Sequence, residues 1–359
     1  MIGLVEKDSE LRWVSFELTG QCNLNCVHCR SHYGGDSDQP EVSTAEVRKV
    51  LADLAQFSKP VVVLTGGEPL LRSDVFDLLR YGTELGLRMC LATNATLLDD
   101  SLCVRLKELG VKIVAVSLDG ASAEVHNSFR KQSGAFEGAI RGVEFLKKRS
   151  INFLINSSFT RRNQNAIEST YKLAKQLGAT AWYMFIVVPT GRAKEIQEEL
   201  ISGKDYENIL LWHYKMEKNE TDMFVRPTCA PQYYRLIEQR IKEGEKFERR
   251  TLKFSTGGAR GCMCGQNIAM IGRSGDVFGC SYLPVSAGNV RETPFPAIWN
   301  QSPVLQTLRD KESFQVCGRC EYLDVCGGCR VRAYFVTGDI AGKDPICSYS
   351  PVREGRGTA

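Results

Sequence analysis

Three cysteines, Cys22, Cys26 and Cys29, stand in a C-x3-C-x2-C spacing within Cys22-Asn23-Leu24-Asn25-Cys26-Val27-His28-Cys29. Thiolates this close together can hold three irons of a [4Fe–4S] cube and leave the fourth iron open to a small molecule. A structural zinc site wants four ligands in two pairs. His28 lies inside the two-residue gap, where its ring can hardly close on the same ion. The loop therefore offers three ligands and reads as chemistry rather than as a staple. A second set of thiols lies far down the chain. Cys262 and Cys280 frame a C-x12-G-x4-C run through Gly275, with Cys264 beside the first of them. Cys317, Cys320, Cys326 and Cys329 follow as two C-x2-C pairs, and Cys347 comes after a gap. Two such pairs can make a zinc ribbon, but these runs hold more thiols than one zinc site uses.

Other polar groups fall where strands should end. Thr65-Gly66-Gly67-Glu68-Pro69 follows the run Val61-Val62-Val63-Leu64. Gly and Pro punctuate any βα turn, yet paired glycines also let backbone approach a ligand closely. Asn94 follows a third strand, and Ser117 and Asp119 follow a fourth; strand C-termini are where barrels bind ligands. Arg130 and Arg141 read first as solvated helix residues. Cys90 and Cys103 read as small buried hydrophobes. Cys229 sits between Pro227 and Pro231, among Arg226, Tyr233, Tyr234 and Arg235. A linker with solvated arginines is the plain reading. The functional one is a lining for a flat aromatic substrate that carries carboxylates.

The elements that must position these groups alternate. Trp13 to Leu18 reads as a strand by its period of two. Ser43-Thr44-Ala45-Glu46 is a capping box opening a helix whose apolar face is Val47, Val50, Leu51, Leu54 and Phe57. Strands are expected at 61–64, 87–91, 111–116, 151–157 and 181–187. Between them the spacing predicts helices over about 73–86, 99–110, 136–148 and 166–178, with one more over 205–217; glycines mark several ends. That gives six β-α units with parallel strands, fewer than the eight of a closed TIM barrel. After about residue 220 the rhythm stops, and from Gly257 glycine, proline and cysteine dominate. Such a segment buries little apolar area and leans on metal to stay folded.

The chain has 359 residues, 43% hydrophobic and 25% charged, ordinary for a soluble globular protein. Its net charge of +4 is slight and carries no basic run, which speaks against nucleic acid as a partner. No apolar stretch approaches a membrane span, and the residues from Met1 to Asp8 do not read as a signal peptide. Fourteen cysteines without a secretion signal suggest metal ligation in a reducing cytoplasm.

The C-x3-C-x2-C loop, followed one strand later by Gly66-Gly67-Glu68-Pro69, resembles the radical S-adenosylmethionine (SAM) enzymes. The resemblance implies an open six-unit (β/α)6 partial TIM barrel. It also implies a [4Fe–4S] cluster on Cys22, Cys26 and Cys29 whose open iron is chelated by SAM, and electron transfer that yields a 5′-deoxyadenosyl radical. Gly66, Gly67 and Glu68 would meet the SAM amino group. Asn94, Ser117 and Asp119 would lie on the same rim, and Arg130 and Arg141 are candidates for the SAM carboxylate. The later cysteines resemble the SPASM extension, with one or two auxiliary [4Fe–4S] clusters. Cys317, Cys320, Cys326 and Cys347 would hold one. Cys262, Cys280 and Cys329 would hold the other, with Cys264 a possible fourth ligand. The last pair departs from the family, being C-x2-C rather than C-x3-C.

Three further stretches narrow the resemblance. Val188-Pro189-Thr190-Gly191-Arg192, Thr228-Cys229-Ala230-Pro231-Gln232-Tyr233-Tyr234-Arg235 and Cys317 through Tyr334 resemble a SPASM subgroup of porphyrin-modifying enzymes in the sirohaem-dependent haem and haem d1 pathways. This implies oxidative decarboxylation of iron-coproporphyrin III propionates to vinyls. Arg192, Arg226, Cys229, Tyr233 and Arg235 would line the substrate, and a flavodoxin or ferredoxin would supply electrons. Cys264 is extra to that pattern and leaves the exact substrate open. Sister porphyrin enzymes that remove side chains, SPASM enzymes that modify peptides, and a metal-stabilised binding scaffold are the alternatives. The expected division is a barrel over 10–225, a helical, substrate-lining linker over 226–255, an auxiliary-cluster domain over 256–351 and a tail over 352–359.

Overall fold

A computed structural model describes residues 10–31, 40–248, 250 and 261–351. The tail over 352–359 and the expected boundary at 255/256 lie outside the described residues. Among the described residues ten strands form one sheet: β1 (Trp13–Glu17), β2 (Val61–Thr65), β3 (Arg88–Thr93), β4 (Val114–Ser117), β5 (Phe153–Phe159), β6 (Ala181–Ile186), β7 (Phe224–Thr228), β8 (Ile268–Ile271), β9 (Asp276–Phe278) and β10 (Ser286–Asn289). Their order is β10-β9-β8-β1-β2-β3-β4-β5-β6-β7. From β1 to β7 neighbours pair in parallel in chain order, with helices between them. This is the expected α/β core. The capping box forms as read: the Ser43 amide donates to Glu46 Oε2 at 2.7 Å, and the helix runs Thr44–Phe57.

Four strands exceed the six expected, and two of them, β7 and β8, extend the parallel run. β7 pairs in parallel with β6. Its Pro227 has no amide hydrogen for a ladder, but β7 ends the sheet, where that is tolerated. β8 pairs in parallel with β1, Trp13 against Ile268. Four apolar residues inside a Gly- and Cys-rich segment gave too short a pattern to separate from a loop. Through β8 the cysteine-rich segment joins the same sheet as the barrel.

Strand residues alternate between two environments, as a period of two requires. Val14, Phe16, Val62, Leu64, Met89, Leu91, Val114 and Val116 belong to the large core that also holds the helices' apolar faces. Val61, Val63, Cys90, Ile113, Leu154, Ala181 and Phe224 form a separate cluster, joined by Trp13, Ala92, Ala115 and Tyr183. Burial on both faces explains why these strands read as continuous apolar runs. Within the barrel one helix escaped the sequence reading. Ala123–Arg130 is eight residues long, capped by the Ser122 side chain, and too polar to show a stripe; it carries Arg130.

Candidate active site

The cysteine loop leaves β1 and is held mainly by backbone bonds. The Asn25 and Val27 amides donate to the carbonyls of Arg130 (3.3 Å) and Phe129 (3.1 Å). Arg192 donates its own amide to the Cys29 carbonyl (2.9 Å) and its Nε to that of Cys26 (2.8 Å). Cys22 is exposed, Cys26 buried and Cys29 half-buried, and all three line one cavity of about 400 Å³. Arg130 Nη1 lies 3.6 Å from Cys26 Sγ, and its Nε lies 2.6 Å from Asp119 Oδ2. Burial pushes the Cys26 thiol up, and the Arg130 charge pulls it down. Bound metal would complete that pull, since ligation takes the thiolate. His28 stacks on Phe129 with ring centres 4.3 Å apart, and burial keeps it neutral.

Gly66 and Gly67 pack the GGEP turn onto this loop. A Cβ at Gly66, whose φ is +155°, would come 2.6 Å from the Thr19 carbonyl oxygen; at Gly67 it would come 2.2 Å from that of Gln21. Gly66, Gly67, Asn94, Ser117 and Arg130 all line the cavity, whereas Glu68 and Asp119 are fully buried beside it. Asn94 donates to Asn23 Oδ1 at 2.8 Å, which ties the third strand's end to the loop. Three cysteines around an open rim, with glycine backbone and polar ends at its edge, fit a cube with one free iron and a small chelating ligand.

Glu68 is an anchor within that rim. Its carboxylate accepts from Thr93 Oγ1 (2.7 Å) and from the amides of Asn94 (2.8 Å) and Leu70 (3.1 Å). Burial nonetheless pushes Glu68 up from its ordinary 4.5 to about 7. Between those values the folded chain holds a proton that the unfolded chain has lost. This group's contribution to stability is therefore full below 4.5 and lost as pH rises through 7. Glu68→Gln turns one acceptor into a donor facing a donor, and is expected to cost about 1–3 kcal/mol. In thermal melts that deficit should shrink from pH 5 to pH 7.5. A deficit that grows over this range would contradict the burial argument.

The far side of the same cavity is lined by Arg226, Cys229, Tyr234, Cys262, Cys264, Cys280 and Cys329. Arg226 is half-buried on β7, hydrogen-bonded to Tyr234 and 3.5 Å from Met263 Sδ. Cys317, Cys320, Cys326 and Cys347 line a second, small cavity of about 30 Å³. Among the described residues no three Cys, His, Asp or Glu side chains converge on a single-ion position.

Four expected site residues stand elsewhere. Arg141 is exposed on the helix Ala135–Lys148 and does not line the cavity. Arg192 grips the cysteine loop and does not line the main cavity. Tyr233 is buried and bonded to Glu217, while its neighbour Tyr234 faces the cavity, because adjacent helix residues point about 100° apart. Arg235 is ion-paired with Glu207 and borders the small cavity of Cys317. Sequence reasoning missed Arg30, which lines the main cavity while bound to Glu17 at 2.6 Å, and the rings of Tyr183, Phe185 and Tyr282. The period of β6 could have pointed to Tyr183 and Phe185.

Two family models match the chain, the radical SAM superfamily over residues 16–174 and an iron–sulfur cluster-binding SPASM domain over 262–321. An AdoMet-dependent heme synthase of Methanosarcina barkeri is 45% identical over 95% of this chain and 97% of its own length. An Fe-coproporphyrin III synthase of the same organism is 32% identical over 93% of this chain and 87% of its own. Among solved structures, Streptococcus suis SuiB bound to S-adenosylmethionine superposes with a TM-score of 0.70 at 17% identity, over 95% of this chain and 76% of that one. At that identity the likeness concerns the fold. A [4Fe–4S] cluster with SAM, and further iron–sulfur binding in the SPASM segment, are the cofactors these matches carry. The chain belongs to the radical SAM enzymes with a SPASM iron–sulfur domain, in the family of the AdoMet-dependent haem synthases.

Proposed function

We propose that this enzyme converts propionate side chains of iron-coproporphyrin III to vinyls. The observation that carries the reading is one cavity. It runs from Cys22, Cys26 and Cys29, across an apolar and aromatic barrel interior, to Arg226 and a second set of thiols. Trp13, Tyr183, Phe185 and Tyr282 give flat faces for a macrocycle, and Arg226 offers a fork for a carboxylate. With SAM and its cluster bound, the chemistry supplied is removal of a hydrogen atom from the propionate β-carbon, after which CO2 and one electron leave and a C=C bond remains. The chain's own part is to hold and shield. Cys22, Cys26 and Cys29 hold the cluster; Gly66, Gly67, Asn94 and Ser117 border SAM. Val63, Ile113 and Leu154 keep water from the radical. The thiols beyond Arg226 hold the electron acceptor. The names of the relatives at 45% and 32% identity support a porphyrin substrate.

The slight net charge of +4 fits a small-molecule enzyme rather than a nucleic-acid binder. A flavodoxin or ferredoxin as donor and a cytoplasmic setting complete the proposal. Among the described residues no helix is long and apolar enough to cross a membrane.

Anaerobic reconstitution, dithionite, SAM and iron-coproporphyrin III test the reading together. Mass spectrometry should show successive losses of formic-acid mass. SAM cleavage with no change in the porphyrin would overturn the substrate. Arg226→Ala should weaken porphyrin binding, read from the Soret band, by roughly ten- to hundredfold, since one charge-assisted contact is worth about 1.5–3 kcal/mol. Uncoupled 5′-deoxyadenosine formation should stay unchanged. An Arg226→Ala protein that binds the porphyrin like the parent would remove the carboxylate role.

A further inference from the structure

Five thiols, those of Cys229, Cys262, Cys264, Cys280 and Cys329, line the far side of the main cavity. A cubane takes four protein ligands at most. We propose that Cys229 is the fourth ligand of the auxiliary cluster held by Cys262, Cys280 and Cys329, and that Cys264 is a thiol that donates a hydrogen bond to the Cys280 sulfur. This rests on the reading of that region as an iron–sulfur site.

Backbone geometry singles out Cys229. Its φ is +58°, a left-handed conformation that a residue with a Cβ rarely adopts. Glycine or asparagine would fill such a position at less cost, so a cysteine here points to use of its side chain. The conformation is held in place. Arg332 Nη1 donates to the Cys229 carbonyl at 2.7 Å. The same Arg332 is buried against Asp344, Nε to Oδ1 and Nη2 to Oδ2 both 2.9 Å. Asp344 Oδ2 in turn accepts from the Cys329 amide at 2.7 Å. One buried ion pair therefore fixes the backbones of Cys229 and Cys329 relative to each other. The Cys229 sulfur lies within electrostatic reach of those of Cys329, Cys280 and Cys262 and of the Arg332 guanidinium.

Cys264 is placed differently. It is 2% exposed, and its thiol is hydrogen-bonded directly to that of Cys280. A Cβ on Gly279 would come 2.9 Å from its sulfur, so the sulfur is packed against backbone. Four ligands of a cube bind four different irons and stand apart around it. Two thiols in direct contact suit a donor and an acceptor instead.

The test starts from the full chain with Cys22, Cys26 and Cys29 replaced by alanine, which removes the cluster whose fourth iron is open to SAM. Cys229→Ala and Cys264→Ala are added separately and the proteins are reconstituted anaerobically. Iron, sulfide, EPR spectra and reduction midpoints are then measured. Cys229→Ala should lose one cube's iron and sulfide, or show a three-iron EPR signal after oxidation. Cys264→Ala should keep the parent's iron and sulfide without that signal. Its midpoint should move to lower potential, because a hydrogen bond to a cluster sulfur is gone. If Cys229→Ala does not fold, Cys229→Ser repeats the measurement. A Cys229 variant with the parent's iron and no three-iron signal overturns the assignment. So does a Cys264→Ala protein that loses the cube. A parent with no iron or sulfide overturns the auxiliary-cluster reading itself, which is a separate result.

Discussion

Replacing Cys22, Cys26 and Cys29 together by alanine is expected to abolish 5′-deoxyadenosine formation from SAM under dithionite, while the chain stays folded. The loss is total because the three thiols are the only ligands the loop offers to the electron source. The fold survives because the loop is fastened by backbone. Its amides reach the carbonyls of Phe129 and Arg130, and Arg192 binds the Cys26 and Cys29 carbonyls, none of which needs a thiol. Far-UV circular dichroism should match the parent. Iron and sulfide should fall by one cube, leaving whatever the SPASM segment holds. Residual SAM cleavage at the parent's rate would show that the assignment of this loop is wrong. Unfolding of the variant would show that its backbone bonds do not suffice.

That separation of backbone from side-chain roles also marks what the sequence could and could not say. Spacing alone pointed to the cysteine loop and the glycine turn, because both are local: their chemistry lies within a few residues of chain. The six β-α units were legible for a similar reason, since Val61 to Thr65 and its counterparts are buried on both faces and show it as unbroken apolar runs. Partners distant in sequence left no such trace. Arg192 carried no sign that it would grip Cys26, 166 residues away. Tyr233 and Tyr234 differ by one step, yet one faces Glu217 and the other the cavity, a choice made by how the helix Gln232–Lys242 docks. β8 pairs with β1 across more than half the chain, and its four residues became a strand only by meeting Trp13 to Phe16.

Arg130 shows the same dependence at its strongest, and it carries the second large expectation. It is 8% exposed and sits between Asp119, itself fully buried, and the Cys26 sulfur. Burial works against its charge, but the Asp119 carboxylate outweighs that and holds the guanidinium charged. Arg130→Ala leaves Asp119 buried with the Ser158 amide, 2.8 Å from Oδ1, as a remaining donor and no guanidinium beside Oδ2, where the buried His28 Nε2 lies 4.0 Å away. Breaking a buried pair from one side costs about 3–5 kcal/mol, which for a chain of 359 residues is a melting-temperature drop of about 4–7 °C. Removing both charges, as Arg130→Met with Asp119→Asn, should recover most of that loss. The asparagine oxygen still accepts from Ser158, and no bare carboxylate remains. The double variant does not restore the contact to Cys26. Its melting temperature should return while the potential of the SAM-binding cluster stays shifted to lower values, since the donor to the Cys26 sulfur is still missing. Recovery of stability and potential together would assign Arg130 to the ion pair alone. An Arg130→Ala protein that melts with the parent would show that the pair does not carry the site's stability at all.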